Sequence, residues 1–384
     1  MNIPFHRPNL PDSLDEIFSN SIKSGWLTSG SRVSEFEDKL AEFLNVKYAL
    51  AVNSCTSALH LGLAANNFSK GTKFVTSTLT FASTVECGIY LGLEPKLIDC
   101  AKDSYLIDLN QVEDLVKKDR FIRVIIPVHY AGETVDLDYL HYLSNKYDLF
   151  ILEDAAHAFE SSHNGKKIGN TNHAAAFSFY ANKNLTTAGE GGAISTNDEK
   201  LAEKIKRMSL HGMTKDGWNR YQSKTKWEYD IVELGYKYNL TDLAASYGIW
   251  QLGQIKKWQK RRIEIYNRYT DGLGSIDNIR LPEYVPGHSL HLFVISMVLD
   301  KWQITRDELI ENLKNKGIGV AVHYKPIHQL TYFKDKYGYD IDSFPRSNKL
   351  FKSIISLPIY PQLTNANVDY IIETMHNLST NYVK

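Results

Sequence analysis

The feature that most constrains this chain is a repeated alternation of short apolar, β-branched runs with helical segments. Runs at Tyr48–Val52, Phe74–Thr76, Lys96–Asp99, Phe121–Val128 and Leu149–Leu152 read as strands. Helical patterns lie between them, ending near Ala65 and Leu91 and then spanning Gln111 to Lys117 and Leu137 to Lys146. Two further strand candidates, Ala174–Phe179 and Ala193–Thr196, flank a glycine-rich loop. A strand that must cross over a helix before the next strand can pair only in parallel, so the pattern predicts an α/β fold: a mostly parallel sheet with helices on both faces. In such sheets ligands bind outside the carboxyl ends of the strands, and chemistry-bearing residues are sought there.

The remaining chain sets the domain expectation. A length of 384 residues accommodates two domains. A helical pattern over Thr241–Leu273, with an interruption expected near Gly253, leads into a region of different character. From Ile279 onward, apolar runs at Leu292–Leu299 and Gly319–Val322 mix with helices at Arg306–Lys316 and Asn365–Leu378. The expectation is a large domain over 1–250 and a smaller α+β domain over 251–384. The segment 212–235 is polar and aromatic without a period, long enough for a functional loop or an interface arm.

Composition removes several function classes. Lys and Arg number 44 against 44 Asp and Glu, so the general basic footprint of a nucleic-acid binder is missing. No apolar run reaches the length of a membrane span, and the N-terminus lacks a basic segment followed by an apolar one. Three cysteines without metal-ligand spacing suit a reducing compartment. A cytoplasmic protein is expected. There is no Walker loop, Gly-x-Ser-x-Gly elbow or Gly-x-Gly-x-x-Gly fingerprint.

Several residues carry candidate chemistry. Lys183 follows an apolar strand, with Ser178 five positions earlier and Gly189-Glu-Gly-Gly192 shortly after. A partly desolvated lysine can form an imine with a carbonyl; a surface lysine in a glycine turn is the alternative. Asp154 closes a strand, where it can hold a cationic ring nitrogen or cap a helix. His157 lies beside that ring or in the first turn of the helix. Asn53-Ser-Cys-Thr56-Ser57 stands between a strand and a helix, as a phosphate cradle or a capping box. Phe81 covers a planar ligand or joins the core, and Cys55 reads as a small structural residue. The loop Gly25–Gly30, with Thr28, is an interhelical turn or faces a ligand. His288 and His291 lack the third and fourth ligands of a zinc site. His323-Tyr324-Lys-Pro-Ile-His328 reads as a substrate-facing loop, with a metal site as the alternative.

Taken together and in this order, these blocks resemble the DegT-type family of sugar aminotransferases, within the aspartate-aminotransferase fold (fold type I) of pyridoxal phosphate enzymes. The resemblance covers nearly the whole chain. It is carried by Gly25-Trp-Leu-Thr-Ser-Gly30, Asn53-Ser-Cys-Thr-Ser-Ala-Leu59, Pro127-Val-His-Tyr-Ala-Gly132 and Glu153-Asp-Ala-Ala-His157. It continues through the Ser178–Gly192 block, Gly235-Tyr-Lys-Tyr-Asn-Leu-Thr-Asp242 and His323–His328.

The resemblance implies that Lys183 forms an imine with pyridoxal 5'-phosphate and then shuttles the proton. It implies Asp154 on the ring nitrogen, His157 beside the ring and Phe81 stacked on it, with Thr56, Ser57 and Ser178 on the phosphate. It further implies a homodimer with shared active sites, in which Lys237 or Asn239 reaches the partner's phosphate site. Many members read Asn-Tyr-Arg where this chain reads Lys237-Tyr-Asn239. The implied substrates are L-glutamate, leaving as 2-oxoglutarate, and a nucleotide-linked keto sugar aminated at C4, contacted by Thr28, His323, Tyr324 and His328. A 3-keto sugar aminotransferase, a sugar dehydratase and a non-catalytic regulatory member are the alternatives. Dehydrating relatives that carry histidine at the position of Lys183 cannot form the imine.

Overall fold

The computed structural model describes residues 2–214 and 228–384. Its centre is a seven-stranded sheet built from β1 (Tyr48–Val52), β2 (Lys73–Ser77), β3 (Glu94–Ile98), β4 (Ile122–Ile126), β5 (Phe150–Asp154), β8 (Ala174–Ser178) and β9 (Gly192–Thr196). A two-residue-per-strand hairpin, β6 (Ser162–His163) with β7 (Lys166–Lys167), lies outside it. The order across the sheet is β1-β9-β8-β5-β4-β2-β3. Every neighbouring pair from β3 to β8 is parallel, and β9 alone runs against its neighbours β8 and β1.

Burial on both faces follows from the period-two alternation of strand side chains. Ala51, Val75, Ile125, Ile151 and Phe177 enter one core, with the helices Ser31–Leu44, Leu109–Lys118 and Leu137–Tyr147. Val52, Phe74, Val124, Leu152 and Ile194 enter the other, with the helices Cys55–Ala64, Ser83–Tyr90 and Glu199–Met208. The parallel directions put the carboxyl ends of β1, β2, β4, β5 and β8 on one edge. The reversed strand β9 brings its amino end, Gly192, to that same edge. A Cβ at Gly192 would stand 2.5 Å from the carbonyl carbon of Ser54 and 2.7 Å from the amide nitrogen of Cys55. Only glycine lets β9 start against the helix N-terminus there.

The helix Asp242–Leu273 runs without interruption through Gly253, although the sequence pattern predicts a break. Gly253 is exposed and a Cβ there would meet nothing within 4 Å, so the glycine costs only intrinsic propensity. Residues through Ile255 pack on the large sheet, and Ile265, Tyr269 and Leu273 pack on a second core. That core covers a three-stranded antiparallel sheet, β10 (Ile279–Arg280), β11 (Phe293–Met297) and β12 (Ile354–Leu357). The expected division at residue 250 lies inside the helix, and we propose it as the approximate point where the two cores change over. The apolar run Gly319–Val322 is not a strand; it contributes one isolated bridge, Ala321 to Ser356. The expected loop over 212–235 falls partly on residues 215–227, outside the described residues.

The loop Gly25–Gly30 is tied to the start of the long helix. The buried Asp242 carboxylate accepts from the amides of Gly30 (2.7 Å), Val33 (3.0 Å) and Arg32 (3.3 Å), capping the helix Ser31–Leu44 from outside. Trp26 Nε1 donates to Ser29 O (2.9 Å), and Ser29 Oγ donates to Leu240 O (2.6 Å). Asp242→Ala leaves three amides without their charged acceptor and is expected to cost about 3 kcal/mol in denaturant unfolding, with Asp242→Asn losing less. An alanine variant within about 0.5 kcal/mol of wild type contradicts this account of the cap.

Candidate functional site

The strand ends enclose a cavity of about 440 Å3, in the range of small-molecule sites. Among the predicted site residues, Thr56, Phe81, Asp154, His157, Ser178, Lys183, His323 and Tyr324 line it. A wider cleft of about 660 Å3, between the helices Ser31–Leu44 and Asp242–Leu273, contains none of them. Of these two, the strand-end cavity has the convergent chemistry. Among the described residues no helix is long and apolar enough to cross a membrane.

Asp154 is the last residue of β5 and is almost fully buried. Its Oδ2 accepts from Thr84 Oγ1 (2.6 Å) and its Oδ1 from the Ala156 amide (3.1 Å). Burial pushes its pKa up, while the Thr84 and Ala156 hydrogen bonds and the charges of Lys183 and His129 pull it back. No basic group forms an ion pair with it among the described residues. A buried carboxylate of this kind is unfavourable unless a cation joins it.

Lys183 sits in the loop after β8, its amide donating to Tyr180 O (2.9 Å). Its side chain is partly exposed, and what it faces is this cavity. Desolvation lowers its pKa to about 8, opposed by the Asp154 carboxylate. A substantial neutral fraction then exists near pH 8, as a nucleophilic amine needs. Cys55 remains a thiol: burial, reinforced by Asp154, drives its pKa well up.

The helix Cys55–Ala64 points its N-terminus at the cavity, where the first amides have no intrahelical acceptor. Ser54 caps it, accepting from the Ser57 amide (3.1 Å). The Ser57 hydroxyl donates to Asn53 Oδ1 (2.6 Å), so Ser57 holds the loop and is absent from the cavity wall. Ser178 lines the wall, and its Oγ accepts only a long bond from the Tyr180 amide (3.4 Å).

Four predicted residues lie elsewhere in this chain. Lys237 Nζ donates to Asn239 Oδ1, and Asn239 Nδ2 donates to Ser29 Oγ (2.7 Å). Thr28 is exposed, its carbonyl accepting from the Asp242 amide (3.3 Å). His328 is buried behind the wall. Its Nδ1 meets Thr78 Oγ1 (2.7 Å), its Nε2 meets Asn348 Oδ1 (2.8 Å), and its ring stacks on Phe344. Both nitrogens are engaged, which leaves none for a ligand.

Sequence reasoning missed Thr84, the hydroxyl on Asp154, and the wall residues Tyr180, Asn182 and Glu190. Thr80 and Thr84, four apart and hydrogen-bonded to each other (2.7 Å), were the available signal for the first. The others lie inside or beside the lysine block.

Five histidines around the site are held neutral by burial. His157 and His291 are driven well below their ordinary value, His288 and His323 to about 4, and His6 to about 3. Their stabilising effect is complete above the unfolded value near 6.5 and is lost as pH falls, because only the unfolded chain then binds the protons. At pH 5 each such histidine forfeits about 2 kcal/mol. The melting temperature is expected to fall by roughly 5 °C or more between pH 7.5 and pH 5. A flat profile over that window contradicts the neutral cluster.

Comparison with known proteins agrees with this fold. Residues 11–376 match the model of the DegT/DnrJ/EryC1/StrS aminotransferase family. The spore coat polysaccharide biosynthesis protein SpsC of Bacillus subtilis is 38% identical over 379 residues, covering 98% of this chain and 97% of that protein. The putative sugar aminotransferase Spr1654 from Streptococcus pneumoniae, solved in its PMP-form, superposes with a TM-score of 0.92 at 31% identity, covering 99% of this chain and 100% of that one. Helicobacter pylori PseC, an aminotransferase involved in pseudoaminic acid biosynthesis, gives 0.91 at 29% identity over the full length of both chains. The match over nearly all of both the sequence and the fold identifies this chain as a member of the DegT/DnrJ/EryC1/StrS aminotransferase family.

Proposed function

We propose that this chain is a pyridoxal phosphate-dependent sugar aminotransferase that takes an amino group from an amino acid, L-glutamate by expectation, and delivers it to a nucleotide-linked keto sugar at C4. The observation that carries the reading is the buried Asp154 carboxylate, without an ion-pair partner among the described residues, sharing one cavity with a desolvated lysine. Asp154 fits a ring nitrogen that is positively charged, and its own raised pKa is relieved by that partner. Thr56, Ser178 and the open amides at the start of the helix Cys55–Ala64 fit the phosphate. Ser57 contributes by fixing the loop that carries them. His157 and Phe81, both on the cavity wall, would flank the ring.

Bound there, pyridoxal phosphate supplies an electron sink for the carbon that gains or loses the amine. Lys183 Nζ would hold the cofactor through its aldehyde carbon, and the same nitrogen is placed to carry a proton as general acid and base. Tyr324 and His323 face the incoming sugar.

Lys237 and Asn239 lie outside their own chain's cavity, and this supports a partner-directed role in a homodimer. Close to them in sequence, Ile231, Val232 and Leu234 are 55%, 55% and 82% exposed, an apolar surface suited to burial against a second copy. Lys237→Ala and Asn239→Ala are each expected to weaken cofactor retention several-fold; unchanged affinity in both removes this segment from the phosphate site.

Lys183→Ala is expected to remain folded and to lose amine transfer by about 10^4-fold or more. Retained turnover in that variant refutes the reading. Wild-type protein supplied with cofactor should show a visible-edge absorbance band that glutamate removes. A panel of 3-keto and 4-keto nucleotide sugars, read by mass, then decides the position of amination. Water loss from the sugar instead of amine gain favours the dehydratase alternative.

A further inference from the structure

Behind the cavity wall, Asn184, Ser289 and His291 form a polar cluster that none of the roles above uses. Asn184 follows Lys183 and is buried. Its Nδ2 donates to Ser289 O (2.9 Å) and Glu160 Oε2 (3.2 Å), and its Oδ1 stands 3.1 Å from His291 Nδ1. A backbone carbonyl can only accept, so the amide has one orientation, and His291 Nδ1 must carry the hydrogen. The other face of His291 meets His157, with ring centroids 4.5 Å apart. His157 Nδ1 accepts from the Ala131 amide (3.2 Å), which leaves the neutral ring with its hydrogen on Nε2, 2.9 Å from the Tyr324 hydroxyl. Tyr324 therefore accepts at that contact and keeps its own hydrogen, on a side chain that lines the cavity.

We propose that His291 is a positioning residue of this site: its Nδ1–H locks the Asn184 amide beside Lys183, and its ring backs His157 so that the Tyr324 hydroxyl donates to an acceptor oxygen of the ligand. The proposal rests on the cofactor reading and deepens it.

The same short segment anchors the arrangement to the second core. Ser289 Oγ donates to His157 O (2.6 Å), and the His291 amide donates to Ala131 O (3.1 Å). Burial disfavours charge on either histidine, the Lys183 ammonium adds to that on both rings, and Arg262 acts further on His291. The Glu160 carboxylate is set off from His291 by the Asn184 amide.

The test begins with the full wild-type chain without cofactor, labelled with ring-15N histidine. Variants His291→Phe and His291→Asn provide the assignments. His291 is expected as the Nδ1–H tautomer and His157 as the Nε2–H tautomer at pH 7.5. The opposite tautomer of either, or a cationic ring, overturns the proposal, and this reading stands even where a variant fails to fold.

In protein loaded with pyridoxal phosphate, His291→Phe keeps a ring but removes the donor. It should shift the pH midpoint of the absorbance band by about one unit and slow the glutamate half-reaction roughly tenfold. His291→Asn restores an N–H and should recover most of both. Wild-type midpoint and rate in His291→Phe refute the positioning role. A wild-type protein with no glutamate-responsive band contradicts the cofactor reading instead, so the two failures are told apart.

Discussion

The site depends on one electrostatic arrangement: a carboxylate buried at the end of the central strand with hydrogen bonds but, among the described residues, no ion-pair partner. Asp154 receives Thr84 and the Ala156 amide, yet burial still holds its pKa up. Placing such a group in a low-dielectric site costs several kcal/mol, and a bound cation recovers much of it. Lys183 carries the matching strain in the opposite sense, its ammonium form disfavoured by the same desolvation. A cofactor with a cationic ring nitrogen and an aldehyde addresses both groups at once.

The sheet places these groups without further devices. Parallel strands deliver the loops after β1, β2, β5 and β8 to one edge, and β9, reversed, returns its glycines to the same place. The second core contributes through the polar segment around Ser289 and His291 and through His323 and Tyr324. The long helix Asp242–Leu273 joins both cores, and its first turn pins the N-terminal loop. Positions in the large sheet and contacts from the second core are thereby held in one frame.

Much of this was legible in the sequence. Apolar runs separated by helical patterns determine a parallel sheet almost by exclusion, and Asp154, Lys183, Thr56 and Ser178 fall at strand ends by counting alone. The second core was harder. Ile354–Leu357 is a four-residue buried strand directly after a helix, whereas the apolar run Gly319–Val322 makes only one isolated bridge. Short apolar runs do not distinguish strand from buried coil. His328 shows the same limit for polar residues. A histidine satisfied between Thr78 and Asn348 reads, in sequence, like one facing a ligand. Lys237 and Asn239 look out of place in a single chain because their proposed task lies in another.

The central claim is that Lys183 is the nitrogen that holds the cofactor. Incubating the protein with pyridoxal phosphate, reducing with borohydride and mapping the peptides by mass tests it most directly. The account predicts a stable pyridoxyl modification at Lys183, abolished by prior addition of glutamate. Modification confined to other lysines, with Lys183 untouched, would contradict it.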